Sequence, residues 1–416
     1  MIERNWAGNY QFRAERLHRP TTLEQVREIV AATPQLRVLG SRHSFSAIAD
    51  SAELMSLDGL PPDIAVDHGA GTVGCGPGVR YGELAQVLAP QGLALHNLAS
   101  LPHISVAGAV ATATHGSGDS NGNLATAVAG LEMVTSDGEL LTVERGDEDF
   151  DGFVVGLGAL GAVTRVILDV EPAYEIRQRV FEGLEWDALF ANFDAITSSG
   201  YSVSIFTRWG EAADQVWVKS RGSDELEAER KELFGARAAL VDRHPILGID
   251  AVNCTPQLGV PGSWSDRLPH FRMGFTPSNG AELQSEFFVP RQHAVAALGA
   301  VRELADNFRP LLQVSEIRTI AADRLWMSPQ YERESVGIHF TWVPDQAAVE
   351  AALSPLEAAL APFGARPHWG KVFLADAAAI APSYPRHRDF VRLVEQLDAR
   401  GTFRNDWLEH HVLGVG

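Results

Sequence analysis

The chain has 416 residues, 45% of them hydrophobic and 21% charged, with a formal net charge of −19. That length exceeds what one hydrophobic core usually holds, so two domains are expected. The acidic balance excludes nucleic acid and an anionic membrane as partners, since both need a basic surface, and two cysteines, Cys75 and Cys254, cannot build a disulfide framework or a cysteine-rich metal site.

Met1 to Trp6 opens no apolar run of signal-peptide length. No stretch reaches the roughly 18 apolar residues of a membrane helix. A cytoplasmic protein is expected.

Pro20, Thr21, Thr22 and Glu24 precede an apolar stripe of Leu23, Val26, Ile29 and Val30, which predicts a capped helix with Glu24 closing a capping box. Leu36 to Leu39 reads as a short buried strand running into Gly40-Ser41-Arg42-His43-Ser44-Phe45, and a second helix opens at Tyr81. From Ser105 to Gly118 the chain turns small and polar, a second glycine-containing loop. Leu131–Thr135 and Leu140–Val143, separated by Ser136-Asp137-Gly138, read as a hairpin.

Gly156-Leu157-Gly158-Ala159-Leu160-Gly161 matches the dinucleotide fingerprint. That fingerprint requires a helix to follow, because the pyrophosphate rests on the helix N-terminus. Here Thr164, Val166, Leu168 and Val170 alternate, which predicts a strand, so a nicotinamide cofactor is rejected.

The character changes near Glu171-Pro172, giving expected boundaries at 1–172, 173–374 and 375–416. Amphipathic helices are predicted for Glu225 to Leu240, His293 to Asn307 and Asp389 to Leu397. In the second half, Glu316 and Arg318 share one strand face opposite Ile317, and Gly337, His339 and Thr341 share a face opposite Ile338, Phe340 and Trp342. Such alternation fits two half-exposed strands, or two strands whose polar faces line a pocket.

Backbone N–H groups freed by glycine can converge on a diphosphate without basic side chains. The loops at 40–46 and 105–118 suit that task, and each alone also fits a tight turn. Together with the preceding helix they resemble the two pyrophosphate loops of the vanillyl-alcohol oxidase superfamily of FAD enzymes. Arg366-Pro367-His368-Trp369-Gly370-Lys371 resembles the His-Trp-x-Lys signature of its aldonolactone oxidase branch, and Asp398 to Asn405 that branch's C-terminal motif. In its central and C-terminal motifs the chain is most similar to bacterial alditol oxidases. Two positions depart from the pattern: Arg42 stands where a small residue is common, and Ala399 where Pro is common.

The resemblance implies a two-domain α+β protein of the PCMH-type FAD-binding fold, with a substrate-binding cap domain and a C-terminal segment returning to the FAD domain. It implies FAD held by Gly40, Ser41, Arg42, His43 and Ser44, by Ser105, Gly108, Thr112, Thr114 and His115, and by Gly158 and Val163. Ser100, Thr341 and His368 would lie near the flavin, and His43 would carry an 8α-histidyl bond to it. Ser100, Glu316, Arg318 and Lys371 would bind the hydroxyls of a polyol, Lys371 would also stabilise developing alkoxide charge, and His339 would accept the hydroxyl proton.

The implied reaction is FAD-dependent oxidation of a terminal hydroxyl of xylitol or sorbitol to the aldose, with O2 reduced to H2O2, in a monomer. An aldonolactone or sugar-alcohol dehydrogenase with another electron acceptor, and a sugar-binding protein with no redox role, remain alternatives. No metal site is expected, since neither His410-His411 nor His103 has a second pair at ligand spacing.

Overall fold

The computed structural model describes residues 4–222, 230–274 and 282–414. Three sheets, with a short pair of Leu93–Ala94 and Glu171–Pro172, organise them. Arg16–His18, Glu53–Ser56 and Leu36–Leu39 form a small parallel sheet in that order. An antiparallel sheet runs Ala65–Asp67, Thr72–Cys75, Ala162–Asp169, Val128–Val134, Leu140–Glu144. The strand at Ala162–Asp169 is the one expected after the rejected fingerprint, and its residues alternate between buried and half-buried.

Among the described residues, every strand from Glu175 to Pro367 belongs to one ten-stranded sheet. At its centre, Ser202–Thr207, Leu312–Ile320, Ser335–Trp342 and Leu283–Pro290 lie side by side, all antiparallel. All eight residues of Ser335–Trp342 are buried, so the strand is covered on both faces rather than half exposed. Its period of two splits the faces. Phe340 and Trp342 stack at 5.0 Å, with Phe308 edge-on to both and Trp209 against Phe340. Gly337, His339 and Thr341 point the other way.

The first helix, Leu23–Ala32, starts where expected: Thr22 caps it by accepting from the Gln25 N–H. The reciprocal bond comes from Gln25, whose side chain accepts from the Thr21 N–H, and not from Glu24. Position N3, not N2, reaches back over the first turn. Val26 and Val30 pack with Leu36, Met55, Val134, Ala162 and Phe403.

Tyr81–Leu88, Ala294–Glu303 and His387–Leu397 also form helices as expected. Two expected elements differ. Val106–Ala111, read as loop, is a short helix. The helix predicted over Glu225 to Leu240 is absent from its described part, where Glu232–Leu233 and Ala236–Ala238 pair as strands; residues 223–229 lie outside the described residues. Phe234 and Gly235 take positive φ there, which the amphipathic spacing could not signal. Among the described residues no helix is long and apolar enough to cross a membrane. Cys75 and Cys254 are buried free thiols.

Candidate active site

The two glycine loops meet through a reciprocal latch. The Ser41 N–H donates to Ser105 Oγ at 3.1 Å, and the Ser105 N–H donates to Ser41 Oγ at 3.0 Å. Gly40 and Gly108 make this approach possible: a Cβ on either would lie 2.6 or 2.8 Å from Ser105 Oγ.

Behind the first loop, the buried Arg37 guanidinium donates to the carbonyls of Gly158, Leu157, Phe403 and Ile48. Asp398 accepts from the Thr402 and Phe403 N–H groups, and the Leu36 N–H donates to Thr402 O at 2.7 Å. Asn405 reaches Asp50 O at 2.8 Å. The C-terminal motif therefore buttresses the strand that feeds the first loop.

Arg42 adopts φ +62°, a left-handed conformation that favours glycine; its carbonyl accepts from the Trp6 N–H at 2.8 Å. The Trp6 indole stacks on the His43 ring at 5.0 Å. His43 Nδ1 lies 3.1 Å from Ser41 O, while Nε2 is buried with no hydrogen-bond partner. Burial pushes the imidazole pKa down to about 4. The ring is therefore neutral and keeps a lone pair for a group supplied from outside the chain.

His368-Trp369-Gly370-Lys371 forms a turn that joins loop to sheet. The Lys371 N–H donates to His368 O and the Gly370 N–H to His368 Nδ1, both at 3.0 Å. Trp369 is anchored by its indole N–H on Met327 O, and the Phe45 N–H of the first loop donates to Gly370 O at 2.8 Å. Lys371 then projects its ammonium to Glu286 Oε2 at 2.6 Å.

Glu286 is the hub that the sequence reading missed. Its buried carboxylate also takes Arg318 Nη2 at 2.9 Å, with His115 Nε2 3.2 Å away. Burial opposes ionisation, but Lys371, His115 and Arg318 overcome it and hold the carboxyl well below its usual range. The strand register explains the meeting: Phe206 pairs with Glu316, Glu316 with His339, and His339 with Glu286, a straight row across four strands. Beside it Gly337 pairs with Arg318 and Phe288, and a Cβ there would press on Glu286 Oε1 at 3.1 Å.

Glu316 Oε1 takes a bond with His270 Nε2 at 2.8 Å. Its other oxygen stands 3.6 Å from Arg318 Nε and 4.0 Å from His339 Nδ1, beyond hydrogen-bond reach. Arg318 Nε and both His339 nitrogens are buried without partners. Burial, reinforced by Lys371, holds His339 well below its ordinary pKa, so the ring is neutral. Burial also lowers Lys371, against the pull of Glu286.

Loops and row open on one cavity of about 530 Å³. Of the expected residues, Gly40, Ser41, Arg42, His43, Ser44, Ser100, Ser105, Gly108, Thr112, Thr114, His115, Gly158, Glu316, Arg318, His339, Thr341, His368 and Lys371 all line it. Val163 does not. It sits half-buried on the strand Ala162–Asp169, opposite Met133, because the strand runs away from the cavity after Gly158. Trp6, Arg37, His270 and Glu286 line it without having been expected.

His115, Glu286 and His368 could bring one ligand atom each within 4.8 Å of one another. Two cations already occupy Glu286, which disfavours a third.

Residues 14–144 match the family model of an FAD binding domain, and residues 279–411 that of D-arabinono-1,4-lactone oxidase. Latched glycine loops, a neutral histidine with an orphaned nitrogen and an adjoining cavity fit that cofactor: fold and site define an FAD-binding oxidoreductase. The chain is 49% identical over 409 residues to an alditol oxidase of Streptomyces sp., covering 97% of each. An L-gulono-1,4-lactone dehydrogenase of Mycobacterium tuberculosis is 27% identical, covering 99% of this chain and 98% of the relative. The chain belongs to the alditol oxidase family. Its fold is the PCMH-type FAD-binding fold, shared with a cholesterol oxidase from B. sterolicum at a TM-score of 0.78 and 16% identity, covering 98% of this chain and 96% of that one.

Proposed function

We propose that this chain oxidises a terminal hydroxyl of an alditol such as xylitol or sorbitol to the aldose, passing the electrons to O2 to give H2O2, with FAD tethered through His43. The observation that carries this reading is the row of neutral His339 between Glu316 and Glu286, beside unpartnered Arg318 Nε, in the cavity that the glycine loops share. Bound FAD supplies the hydride acceptor and the means of reducing O2.

The chain's own residues supply the rest. A hydroxyl both donates and accepts, and Glu316 Oε2 beside Arg318 Nε offers one partner of each kind. Lys371, fixed by Glu286, stabilises negative charge on the reacting oxygen. His339 takes the hydroxyl proton. Its low basicity is no obstacle when proton and hydride leave together: Lys371 makes the hydroxyl more acidic as its proton moves to His339, and loss of hydride from the same carbon removes the negative charge as it forms. Ser100, Thr341 and His368 complete the walls.

On this reading residues 1–172 and 375–416 form the FAD-binding domain and residues 173–374 the substrate domain, in a cytoplasmic monomer. The test reduces the purified holoenzyme anaerobically with xylitol and then admits air. Prompt reoxidation with H2O2 release is expected. Slow reoxidation by O2 but fast reoxidation by an artificial acceptor refutes the oxidase reading in favour of a dehydrogenase. Acid precipitation tests the tether: yellow colour is expected in the pellet of the native chain and in the supernatant of His43→Ala.

A further inference from the structure

Behind Glu316 lies a second tier of polar groups that the proposed chemistry does not use. Lys219, on the strand Ala212–Arg221, is 1% exposed. Its ammonium meets three acceptors: Leu268 O, Pro269 O at 3.3 Å and His270 Nδ1 at 3.2 Å. An ammonium has three hydrogens and no lone pair, so His270 Nδ1 is an acceptor. The imidazole proton must then sit on Nε2, which faces Glu316 Oε1 at 2.8 Å.

The ring has little freedom. Phe206 and Trp217 press edge-on against it at 5.4 and 5.2 Å. Its backbone is fastened as well: the Thr255 N–H donates to His270 O at 2.9 Å, and the His270 N–H to Ser100 O at 3.2 Å. Burial brings the His270 pKa down to about 4, so the ring is a single neutral tautomer and not a cation.

We propose that Lys219 and His270 are positioning residues for substrate recognition: Lys219 anchors the His270 ring through Nδ1 with its Nε2–H on Glu316, and His270 occupies Glu316 Oε1 so that Oε2 alone faces a polyol hydroxyl. The inference rests on Glu316 being a substrate-binding carboxylate, as argued above. A carboxylate with both oxygens open could rotate between arrangements. One oxygen held by a fixed donor presents the other in one geometry, beside Arg318 Nε.

Imidazole nitrogen NMR of the holoenzyme labelled with 15N-histidine reads the tautomer directly. Burial lowers Lys219 to about 7, so pH 6 keeps the ammonium form. His270, assigned by loss of its signals in His270→Gln, is expected to carry its proton on Nε2. Lys219→Met should move the Nδ1 resonance toward that of an imidazole nitrogen accepting no hydrogen bond, while the Glu316 carboxylate still holds the proton on Nε2. In steady-state kinetics with xylitol, His270→Leu and Lys219→Met should each raise KM about tenfold with kcat changed less than about threefold, the loss of one hydrogen bond to a charged group. His270→Gln, which retains a donor at the Nε2 position, should restore KM to within about threefold.

A proton found on Nδ1 in the wild-type protein overturns the proposal. So does an unchanged KM in His270→Leu when Glu316→Gln raises KM. If KM is unchanged in both variants, the substrate-site reading itself is refuted, and with it the purpose of the Lys219–His270 pair.

Discussion

Replacing Glu286 by glutamine removes one charge from a nearly isosteric side chain. In the native pocket Glu286 and Glu316 balance Arg318 and Lys371; in Glu286→Gln one buried cation is left uncompensated. At 2.6 Å the Lys371 attraction is about 6 kcal/mol at an effective dielectric of 20. The cost of burying both ions offsets much of it, and breaking one side of a buried pair typically destabilises by about 3–5 kcal/mol. That is the loss expected for Glu286→Gln in urea unfolding of the holoenzyme, followed by circular dichroism. Glu286→Gln/Lys371→Met restores the charge balance, so the double variant should recover about 2 kcal/mol or more relative to Glu286→Gln. A loss under about 1 kcal/mol for the single variant, or simple additivity in the double, refutes this account of the pocket.

Arg37→Met should destabilise by at least about 3 kcal/mol in the same assay, because four carbonyls lose a buried charged donor; flavin content per chain should fall with it. Gly40→Ala places a methyl against Ser105 Oγ and should lower bound flavin measured by absorbance, whereas Gly40→Ala/Ser105→Ala removes the clashing atom and should regain part of it. Acid should destabilise the fold through its buried neutral histidines. For His270, with a folded pKa of about 4 against about 6.5 unfolded, the unfolded chain binds more protons within that window. Its contribution is complete above about pH 6.5 and shrinks as pH falls, by about 2 kcal/mol between pH 6.5 and 5. The thermal midpoint of His270→Gln should accordingly fall less over that interval than that of the native chain.

The sequence exposed the site wherever a regular period carried it. Glu316 with Arg318, and Gly337 with His339 and Thr341, fall on the faces that alternation assigned, and both faces line the cavity. Alternation alone did not say that these faces are buried, because burial depends on what the other half of the chain lays over them. Glu286 had a legible signal, a lone acid ahead of Phe287-Phe288-Val289 in a strand-forming run, but its partners come from three other segments. Arg37 was legible in the same way, as a cation inside a strand read as buried. His270 and Trp6 lie in irregular backbone with no period to betray them. The expected helix at 225–240 shows the converse over its described residues, 230–240, where apolar spacing was compatible with a helix while Phe234 and Gly235 required a tight turn.

The Arg37 anchor also has a temporal side. Its guanidinium waits on a carbonyl 366 positions further along, that of Phe403, and on the carbonyls of Leu157 and Gly158 between them. During synthesis the first loop therefore emerges long before the groups that fix it. The cradle's anchor is complete only once residue 403 has been made, so a flavin whose binding depends on that anchor is held firmly only after that point.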